Sequence, residues 1–448
     1  MTIKRNTKQI TVGFVALGCP KNMVDSERML AIIAQAGFPI TQDADNADVV
    51  VINTCGFIAP AKAEAIKAIN HALRQKQKGN VRKVIVAGCL PQRLGNKLLD
   101  EVGPIDAIVG LEHRDNIADI IEKTWTAHKT IESLSAIPKI LYDDRTRLRI
   151  TPRHWAYLRI SEGCSRNCSF CTIPAIRGKT RSKPLPLVLA EAKELVASGA
   201  VELNVIAQDV TAYGRDFNSK YALPLLLTKL AAIPRLRWVR LLYLYPTGIN
   251  DRLIETVADC DKILHYFDIP LQHVNPQILQ AMRRPHSKDR LCRLIERLRL
   301  SIPNCVLRTT LIVGFPGETD ARFDELLKFV QWARFDNLGC FTFYPEQGTP
   351  AAKFPHQVPD HIKKQRLRRL MLTQQQIAFE KNKSRIGSQL TCLTDSIDKN
   401  RIAKARFFGQ APEIDPVCII RDCRVPAGSF VQAKVTGFRG YDLLCEQI

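Results

Sequence analysis

The chain has 448 residues, of which 65 are Lys or Arg and 44 are Asp or Glu, so its formal net charge is +21. Apolar residues make up 46% and charged residues 24%, which is an ordinary globular composition and excludes a disordered chain, a collagen-like fibre and a small disulfide scaffold. No apolar run approaches the roughly 18 to 20 residues that span a bilayer, and the basic N-terminus lacks a secretory-signal pattern. We therefore expect a cytoplasmic protein of about three domains whose 14 cysteines are mostly reduced.

Residues 9–135 alternate between short apolar runs and stretches with helical spacing. Strands are predicted at 11–17, 48–53, 84–87 and 105–109, and helices at 24–36 and 59–73. Alternating β and α units are typical of a parallel sheet with helices on its faces. A polar, charge-rich stretch at 136–151 is predicted to be a linker.

The alternation resumes in residues 152–383. Strands are predicted at 157–160, 202–206, 237–242, 266–270, 308–313 and 339–343, and helices at 187–197, 249–258, 291–300 and 321–333. About six βα units in succession indicate a barrel or partial barrel, whose site lies on the loops that follow the strands. The region ends in a long polar helix at 357–383. We interpret its cations at 363–369 as a solvated face in preference to a binding site.

Residues 384–448 have a different pattern, in which short alternating runs are separated by Gly, Pro and Asp. These runs lie at 390–393, 417–420, 430–435 and 441–444. The pattern predicts a small antiparallel β-barrel or sandwich. The expected fold class is therefore α/β, with an N-terminal parallel-sheet domain, a central partial (βα)6 barrel and a small C-terminal antiparallel β-barrel.

Three cysteines, Cys164, Cys168 and Cys171, form Cys-x-x-x-Cys-x-x-Cys directly after the first strand of the central domain. Three thiolates on one short loop suit a soft metal centre, and an iron–sulfur cube held by three cysteines leaves one iron open to a small chelating ligand. A structural zinc site takes four ligands, and no second Cys-x-x-Cys pair lies nearby. The alternative is a zinc knuckle completed by a distant His or Cys.

Cys19, Cys55 and Cys89 each lie just past a predicted strand of the N-terminal domain, and each has a Gly neighbour that allows close backbone approach. The carboxyl ends of parallel strands share one edge of the sheet, where ligand sites gather. We therefore expect these three cysteines to converge on a second metal centre, although each taken singly also fits a small buried core residue. The other eight cysteines show no ligand spacing and are interpreted as structural.

The loop around Cys164, with Phe170 before the last cysteine, resembles that of the radical S-adenosylmethionine (SAM) enzymes. Together with the upstream cysteines and the small C-terminal barrel, it resembles the methylthiotransferase family, which has an N-terminal methylthiotransferase domain, a radical SAM barrel and a TRAM domain. Within this family, five segments resemble the branch that acts on a ribosomal protein and differ from the branch that acts on tRNA. They lie at 17–22, 24–28, 53–58, 268–273 and 411–415.

The resemblance implies two [4Fe–4S] clusters and SAM as cofactors. Cys164, Cys168 and Cys171 match the ligands of the radical SAM cluster, and Cys19, Cys55 and Cys89 match those of an auxiliary cluster. The activity implied is addition of a methylthio group to the β-carbon of an aspartate in small-subunit ribosomal protein number twelve.

Four residues are expected to line the SAM pocket: Phe170, Gln208, Asp209 and Gly314. For Gln208 and Asp209, a polar strand end without a role is the alternative, and for Gly314 an ordinary βα turn. His273 fits either a contact to SAM or substrate, or a satisfied core histidine.

The expected partner is the ribosomal protein or the small ribosomal subunit, with RNA contact through the basic surface and the TRAM domain, while the electron donor stays open. The net charge of +21 favours an acidic partner, because Lys and Arg displace counterions condensed on phosphate. One alternative function is therefore a tRNA adenosine methylthiotransferase. A second, of another class, is a zinc-stabilised RNA-binding protein.

Overall fold

The computed structural model describes residues 10–135, 143–217, 219 and 222–448, so residues 136–142 of the predicted linker lie outside the described residues. The chain divides into two compact units. The first consists of Met1–Ile150 in its described part, Glu162–Arg166 and Cys171–Lys183, and the second of Thr151–Ser161, Asn167–Phe170 and Pro184–Ile448. Across these described ranges, no helix is both long and apolar enough to cross a membrane.

The first unit contains a six-stranded sheet whose strand pairings are all parallel, as the sequence predicts. Its strands are β1 (Val12–Ala16), β2 (Ile40–Thr41), β3 (Val49–Thr54), β4 (Lys83–Gly88), β5 (Ala107–Val109) and β6 (Ile131–Ser133). They are arranged in the order β2-β1-β3-β4-β5-β6. The sequence predicted four of these strands, because β2 and β6 are only two and three residues long and carry too short an apolar pattern to recognise.

Helices cover both faces of this sheet. They are α1 (Pro20–Gln35), α2 (Ala59–Gln77), α3 (Cys89–Leu94), α4 (Lys97–Val102) and α5 (Ile117–Thr126). Strand β3 alternates its side chains between two cores: Val50 and Ile52 pack in the cluster that includes α2, while Val49 and Val51 pack in the cluster that includes α1 and α5. Burial on both faces explains the unbroken apolar run of β3. The short helix α6 (Ile173–Arg177) also belongs to the first unit.

The second unit contains the six strands predicted for the central domain, which are β7 (Trp155–Arg159), β10 (Glu202–Ile206), β11 (Trp238–Leu241), β12 (Ile263–Asp268), β13 (Val306–Val313) and β14 (Asn337–Thr342). They form one parallel sheet in the order β14-β13-β12-β11-β10-β7. Of two further short strands, β8 (Ser161–Glu162) has one residue in each unit and β9 (Arg181–Ser182) belongs to the first unit. The helices are α7 (Leu185–Ala197), α8 (Ala222–Ala231), α9 (Asp251–Ala258), α10 (Pro276–Ala281), α11 (Lys288–Ser301), α12 (Asp320–Ala333) and α13 (Asp360–Arg385). The sheet and these helices bury one large apolar core.

The C-terminal strands are β15 (Gln389–Ile397), β16 (Ala403–Phe407), β17 (Cys418–Arg421), β18 (Phe430–Arg439) and β19 (Asp442–Gln447). They close into a barrel in the order β15-β16-β17-β19-β18. All strand pairings are antiparallel except that of β17 with β19, which is parallel. The predicted small barrel is therefore confirmed, but one of its strand pairs is not antiparallel as expected. Strand β16 is not predicted from the sequence, because Ala and Arg give it a weak strand pattern.

Buried ions join the C-terminal barrel to the central sheet within the second unit. Arg406 of β16 lies 2.7 Å from the Glu202 carboxylate of β10 and 2.6 Å from the Asp395 carboxylate. Glu202 also pairs with Arg240 at 2.9 Å, and neither of these side chains is exposed. The Asp395 carboxylate in turn lies 2.8 Å from His154 Nε2.

Candidate metal centres

The sheet of the first unit brings Cys19, Cys55 and Cys89 to one edge. Each follows the carboxyl end of β1, β3 or β4, and these three strands are neighbours in the sheet. Burial raises the pKa of the Cys55 thiol, and the neighbouring Cys19 thiol raises it further. Burial likewise raises the pKa of Cys89 to about 12, against the lowering effect of Arg177, with smaller contributions from Cys55 and Cys19. The three thiols are therefore close enough to act on one another electrostatically.

Two glycines allow the strand ends to approach this closely. A Cβ on Gly18 would lie 2.7 Å from Cys55 Cβ, and a Cβ on Gly88 would lie 2.7 Å from the carbonyl oxygen of Thr54. Both glycines have φ of +98°, a conformation that side-chain-bearing residues rarely adopt. The glycine beside Cys19 and the glycine beside Cys89 are thus required by the packing of the site itself.

Buried amides hold the backbone around these cysteines. The Asn22 side chain donates to the carbonyl oxygens of Leu17 and Thr54, at 3.2 and 2.8 Å. Asn53 donates to the carbonyl oxygen of Asn22 at 3.0 Å and to Ser26 Oγ at 2.8 Å. These bonds connect the start of α1 to the ends of β1 and β3, so the positions of the strand ends are fixed relative to each other.

Arg177, at the end of α6, places a fully buried guanidinium group beside the thiols. Its Nη2 donates to Cys89 Sγ at 3.1 Å, to Asn22 Oδ1 at 2.7 Å and to Asp25 Oδ2 at 3.2 Å, while Nη1 donates to Glu162 Oε2 at 3.0 Å. Asp25 also pairs with Arg114, at 3.2 Å. The site therefore combines thiols with a cation that can balance negative charge.

The donor set fits an iron–sulfur cluster better than a single ion. Within residues 10–135, 143–217, 219 and 222–448, no group of three or more His, Cys, Asp or Glu is arranged to hold one metal ion. A single ion needs all its ligands around one atom, whereas a cube binds each thiolate through a different iron and tolerates wider spacing. Cys55 and Cys89 are buried, Cys19 is half-buried, and a guanidinium group binds the Cys89 sulfur, a combination that suits an anionic cluster with thiolate ligands.

The cysteines of the second set lie on a segment that is divided between the two units. Cys164 and Cys171 belong to the first unit, where their sulfurs accept the backbone N–H groups of Arg166 and Ile173, both at 3.4 Å. Cys168 belongs to the second unit, where Arg284 Nη1 lies 3.7 Å from its sulfur. A hydrogen-bond donor is therefore directed at each of the three sulfurs, and hydrogen bonds to ligand sulfurs are among the features that tune an iron–sulfur cluster.

The four residues expected at the SAM pocket all lie in the second unit. Phe170 packs on an apolar cluster that includes Phe315 and Phe343. Asp209 follows β10 and accepts a 2.6 Å bond from the Thr211 hydroxyl. Gly314 follows β13 with φ of +73°, and a Cβ there would overlap the Lys363 side chain, so both the backbone conformation and the packing favour glycine. Gln208 precedes Asp209 at the same strand end.

His273 is a buried core histidine whose Nδ1 is satisfied, whereas its Nε2 makes no hydrogen bond within the described part of the chain. Neither its side chain nor that of Glu318 is exposed, and its Nε2 lies 3.2 Å from Glu318 Oε2. The Nδ1 atom accepts the backbone N–H of Asn275 at 3.0 Å. Glu318 also pairs with Arg366 of α13 at 2.8 Å, so a cation of the basic helix takes part in packing within the unit.

The sequence alone does not predict Asn22, Asp25 and Arg177 as site residues. Asn22 and Asp25 lie in the family-like segments 17–22 and 24–28, which is a partial signal for them. Arg177 gave none, since its partners Cys89 and Asn22 lie 88 and 155 residues away in sequence. Only the folded sheet brings them together.

Three regions of the chain match known families. Residues 11–110 match the uncharacterized protein family UPF0004, residues 158–330 the radical SAM superfamily, and residues 386–448 the TRAM domain.

The chain is also similar along its whole length to curated proteins. It is 42% identical over 446 residues to the ribosomal protein uS12 methylthiotransferase RimO of Trichlorobacter lovleyi, covering 99% of each chain. It is 43% identical over 440 residues to the protein of the same name from Geobacter sulfurreducens, covering 98% of each.

Among solved structures, the chain resembles the radical SAM methyltransferase TsrM of Kitasatospora setae, solved with cobalamin and a [4Fe–4S] cluster. The TM-score is 0.53 at 14% identity, covering 77% of each chain. It also resembles the cobalamin-dependent SAM radical enzyme OxsB, with a TM-score of 0.51 at 11% identity, over 77% of this chain and 54% of that one. At these identities the likeness concerns the fold alone.

Proposed function

The chain belongs to the ribosomal protein uS12 methylthiotransferase family of radical SAM enzymes, and from this premise we propose that it adds a methylthio group to the β-carbon of an aspartate in uS12. The observation that carries the proposal is the convergence of Cys19, Cys55 and Cys89 at one edge of a parallel sheet. The convergence supports the proposal because insertion of sulfur requires a sulfur source besides the cluster that binds SAM, and three thiols at one edge would hold such a centre.

Two [4Fe–4S] clusters are proposed. Cys164, Cys168 and Cys171 would hold the first, leaving one iron open for SAM, and Cys19, Cys55 and Cys89 would hold the auxiliary one. Bound together, the clusters and SAM supply the radical that breaks an unactivated C–H bond, the sulfur and the methyl group.

The chain's own residues hold and orient these groups. The N–H groups of Arg166 and Ile173 and the guanidinium group of Arg284 donate toward the sulfurs of the first set, which stabilises negative charge on them. Arg284 is itself anchored by a 2.6 Å bond to the carbonyl oxygen of Pro270 and by stacking over the Tyr245 ring. Its orientation toward Cys168 is therefore fixed.

We also propose that Phe170, Gln208, Asp209 and Gly314 contribute to the SAM pocket. The placement of Gln208, Asp209 and Gly314 just past β10 and β13 supports this, since sites on βα sheets lie at the carboxyl ends of strands. The substrate is uS12, free or within the small ribosomal subunit, in the cytoplasm. The net charge of +21 and the TRAM domain support a contact with ribosomal RNA.

Mass spectrometry of uS12 and of tRNA from a deletion strain tests the substrate. We expect the uS12 aspartate to lose the mass of one methylthio group and tRNA to be unchanged, with recovery on complementation. Loss of a tRNA methylthio group with an unchanged uS12 would instead identify the tRNA-modifying function, which the basic charge also suits.

Metal content after anaerobic purification separates the enzyme from a zinc-stabilised RNA-binding protein. About eight iron and eight sulfide per chain, the total for two cubes, is the expected result. Zinc without visible absorbance would contradict it. Cys168→Ala should abolish SAM cleavage, whereas Cys55→Ala should retain cleavage and stop methylthio transfer. Cys292→Ala, at a half-buried cysteine of α11, is the matched control and should change neither.

A further inference from the structure

Arg177 connects the two cysteine sets within the first unit. It ends the short helix α6, which follows Cys171. The backbone N–H of Cys164 donates to the carbonyl oxygen of Gly178, the next residue, at 2.9 Å. The segment that carries ligands of the SAM-binding set thus delivers a guanidinium group to the other set, at Cys89.

The orientation of this guanidinium group is determined from several sides. Glu162 binds one of its nitrogens, while Asp25, Asn22 and Cys89 bind the other. The side chain is 2% exposed, so water does not screen its charge. Two carboxylates and an amide therefore hold a buried N–H group pointed at the Cys89 sulfur.

Hydrogen bonds to ligand sulfurs and local net charge are among the features that set the potential of an iron–sulfur cluster. A donated N–H group and a nearby cation both stabilise the reduced cluster, which carries one more negative charge. We propose that Arg177 tunes the auxiliary cluster, holding its reduction potential higher than the thiolates alone would give. This inference rests on the proposed function, because it requires that Cys19, Cys55 and Cys89 hold a cluster.

Removing Arg177 should shift the potential in one direction. The Cys89 sulfur loses its donor, and Glu162 and Asp25 keep negative charge near the cluster without this cation. Both changes disfavour the added electron. We expect the ratio of reduced to oxidised cluster, at the wild-type midpoint potential, to fall at least about tenfold, which is 59 mV for a one-electron couple.

The experiment is an anaerobic redox titration followed by electron paramagnetic resonance. The full-length chain carries Cys164→Ala, Cys168→Ala and Cys171→Ala, so that about four iron per chain remain at the auxiliary site. Arg177→Gln and Arg177→Lys are compared in this background. The matched control is Arg147→Gln, at another arginine of the first unit whose side chain is buried and whose guanidinium group lies 3.3 Å from the Glu27 carboxylate.

Arg177→Gln is expected to titrate at a more negative potential than wild type, and Arg177→Lys at a potential between those two. The ratio of reduced to oxidised cluster in Arg147→Gln should stay within about threefold of wild type. An unchanged midpoint in Arg177→Gln with its four irons present overturns the proposal. If Arg177→Gln loses its iron, Arg177→Lys decides by the same criterion. Loss of iron from both Arg177 variants also overturns it, since Arg177 would then retain the cluster and not tune it.

This result is independent of the proposed substrate. The titration needs neither uS12 nor SAM, so an unchanged midpoint refutes the tuning while leaving the methylthio transfer intact. A parent chain that binds no iron at this site instead refutes the auxiliary cluster, and with it the proposed function.

Discussion

Replacing Gly88 with Ala should selectively damage the proposed auxiliary site, formed by Cys19, Cys55 and Cys89. Gly88 has φ of +98° and ψ of −147° and immediately precedes Cys89. A methyl group there would overlap Asn53 Oδ1 and lie 2.7 Å from the Thr54 carbonyl oxygen. Neither neighbour is free to move, because Asn53 donates to α1 and Thr54 belongs to β3. The backbone of Gly88 and Cys89 must therefore shift.

The expected cost has two parts. A side-chain-bearing residue in this backbone region costs about 1 to 3 kcal/mol, and the steric overlap costs about another 1 to 3 kcal/mol. Gly103 separates the two parts, since its φ of +82° and ψ of −171° are similar and a Cβ there would meet no atom within 4 Å. Gly103→Ala should carry the backbone cost alone. The overlap at Gly88 should therefore weaken cluster retention about 5- to 150-fold beyond the control.

The assay measures iron per chain against a competing chelator, together with SAM cleavage. Gly88→Ala should fall toward about four iron, the content of one cube, at chelator concentrations where Gly103→Ala keeps about eight. SAM cleavage should persist in both variants, because Gly88 lies beside Cys89 and outside the Cys164–Cys171 loop. Equal iron retention in the two variants would show that the close packing at Gly88 does not position Cys89.

Three further outcomes concern the second unit. Arg406→Met removes one partner from a buried ion network and should cost about 3 to 5 kcal/mol by denaturant unfolding; a loss below about 1 kcal/mol would contradict the network's role. Burial raises the pKa of Asp395, but hydrogen bonds from His154 and Arg406 outweigh it and hold that pKa below 3.8. The ionised Asp395 therefore stabilises the fold above pH 3.8, so the stability gap between wild type and Asp395→Asn should close as pH falls below that value, and a constant gap would refute it. Phe315→Ala should cost about 3 to 5 kcal/mol and raise the protease sensitivity of the segment around Phe170, which packs on the same cluster, and unchanged cleavage there would count against that packing.

The parallel sheets were predictable because their strands are short apolar runs buried on both faces. All six strands of the central sheet lie where the sequence placed them, within about four residues at each end. The convergence of Cys19, Cys55 and Cys89 followed from one rule, that the carboxyl ends of parallel strands share an edge. That rule gives the location of a site and not its geometry.

Helix α1 shows why the rest of the site was missed. The apolar spacing predicted a start at Val24, but the helix begins at Pro20, where proline's missing N–H is tolerated. Asn22 and Asp25 disrupt the apolar pattern of the first turns and are nevertheless buried, because they bind strand ends and Arg177. The spacing of apolar residues predicts which side chains pack against an apolar core. It does not predict the burial of polar side chains such as Asn22 and Asp25 at a polar site.

The buried ions around Arg177 are better explained by positioning than by stability. Well-packed apolar residues of similar volume are often as stabilising as buried ion pairs, which must give up their hydration. The chain nevertheless buries Arg177, Asp25, Arg114, Asp144 and Lys183 in a continuous series of pairs. Contacts between apolar side chains are non-directional, whereas these ion pairs specify the relative orientation of the two side chains. The series therefore fixes the position of segment 171–183 relative to helix α1. Because α1 directly follows Cys19, the position of Cys171 is also fixed relative to the sheet edge that carries Cys19, Cys55 and Cys89.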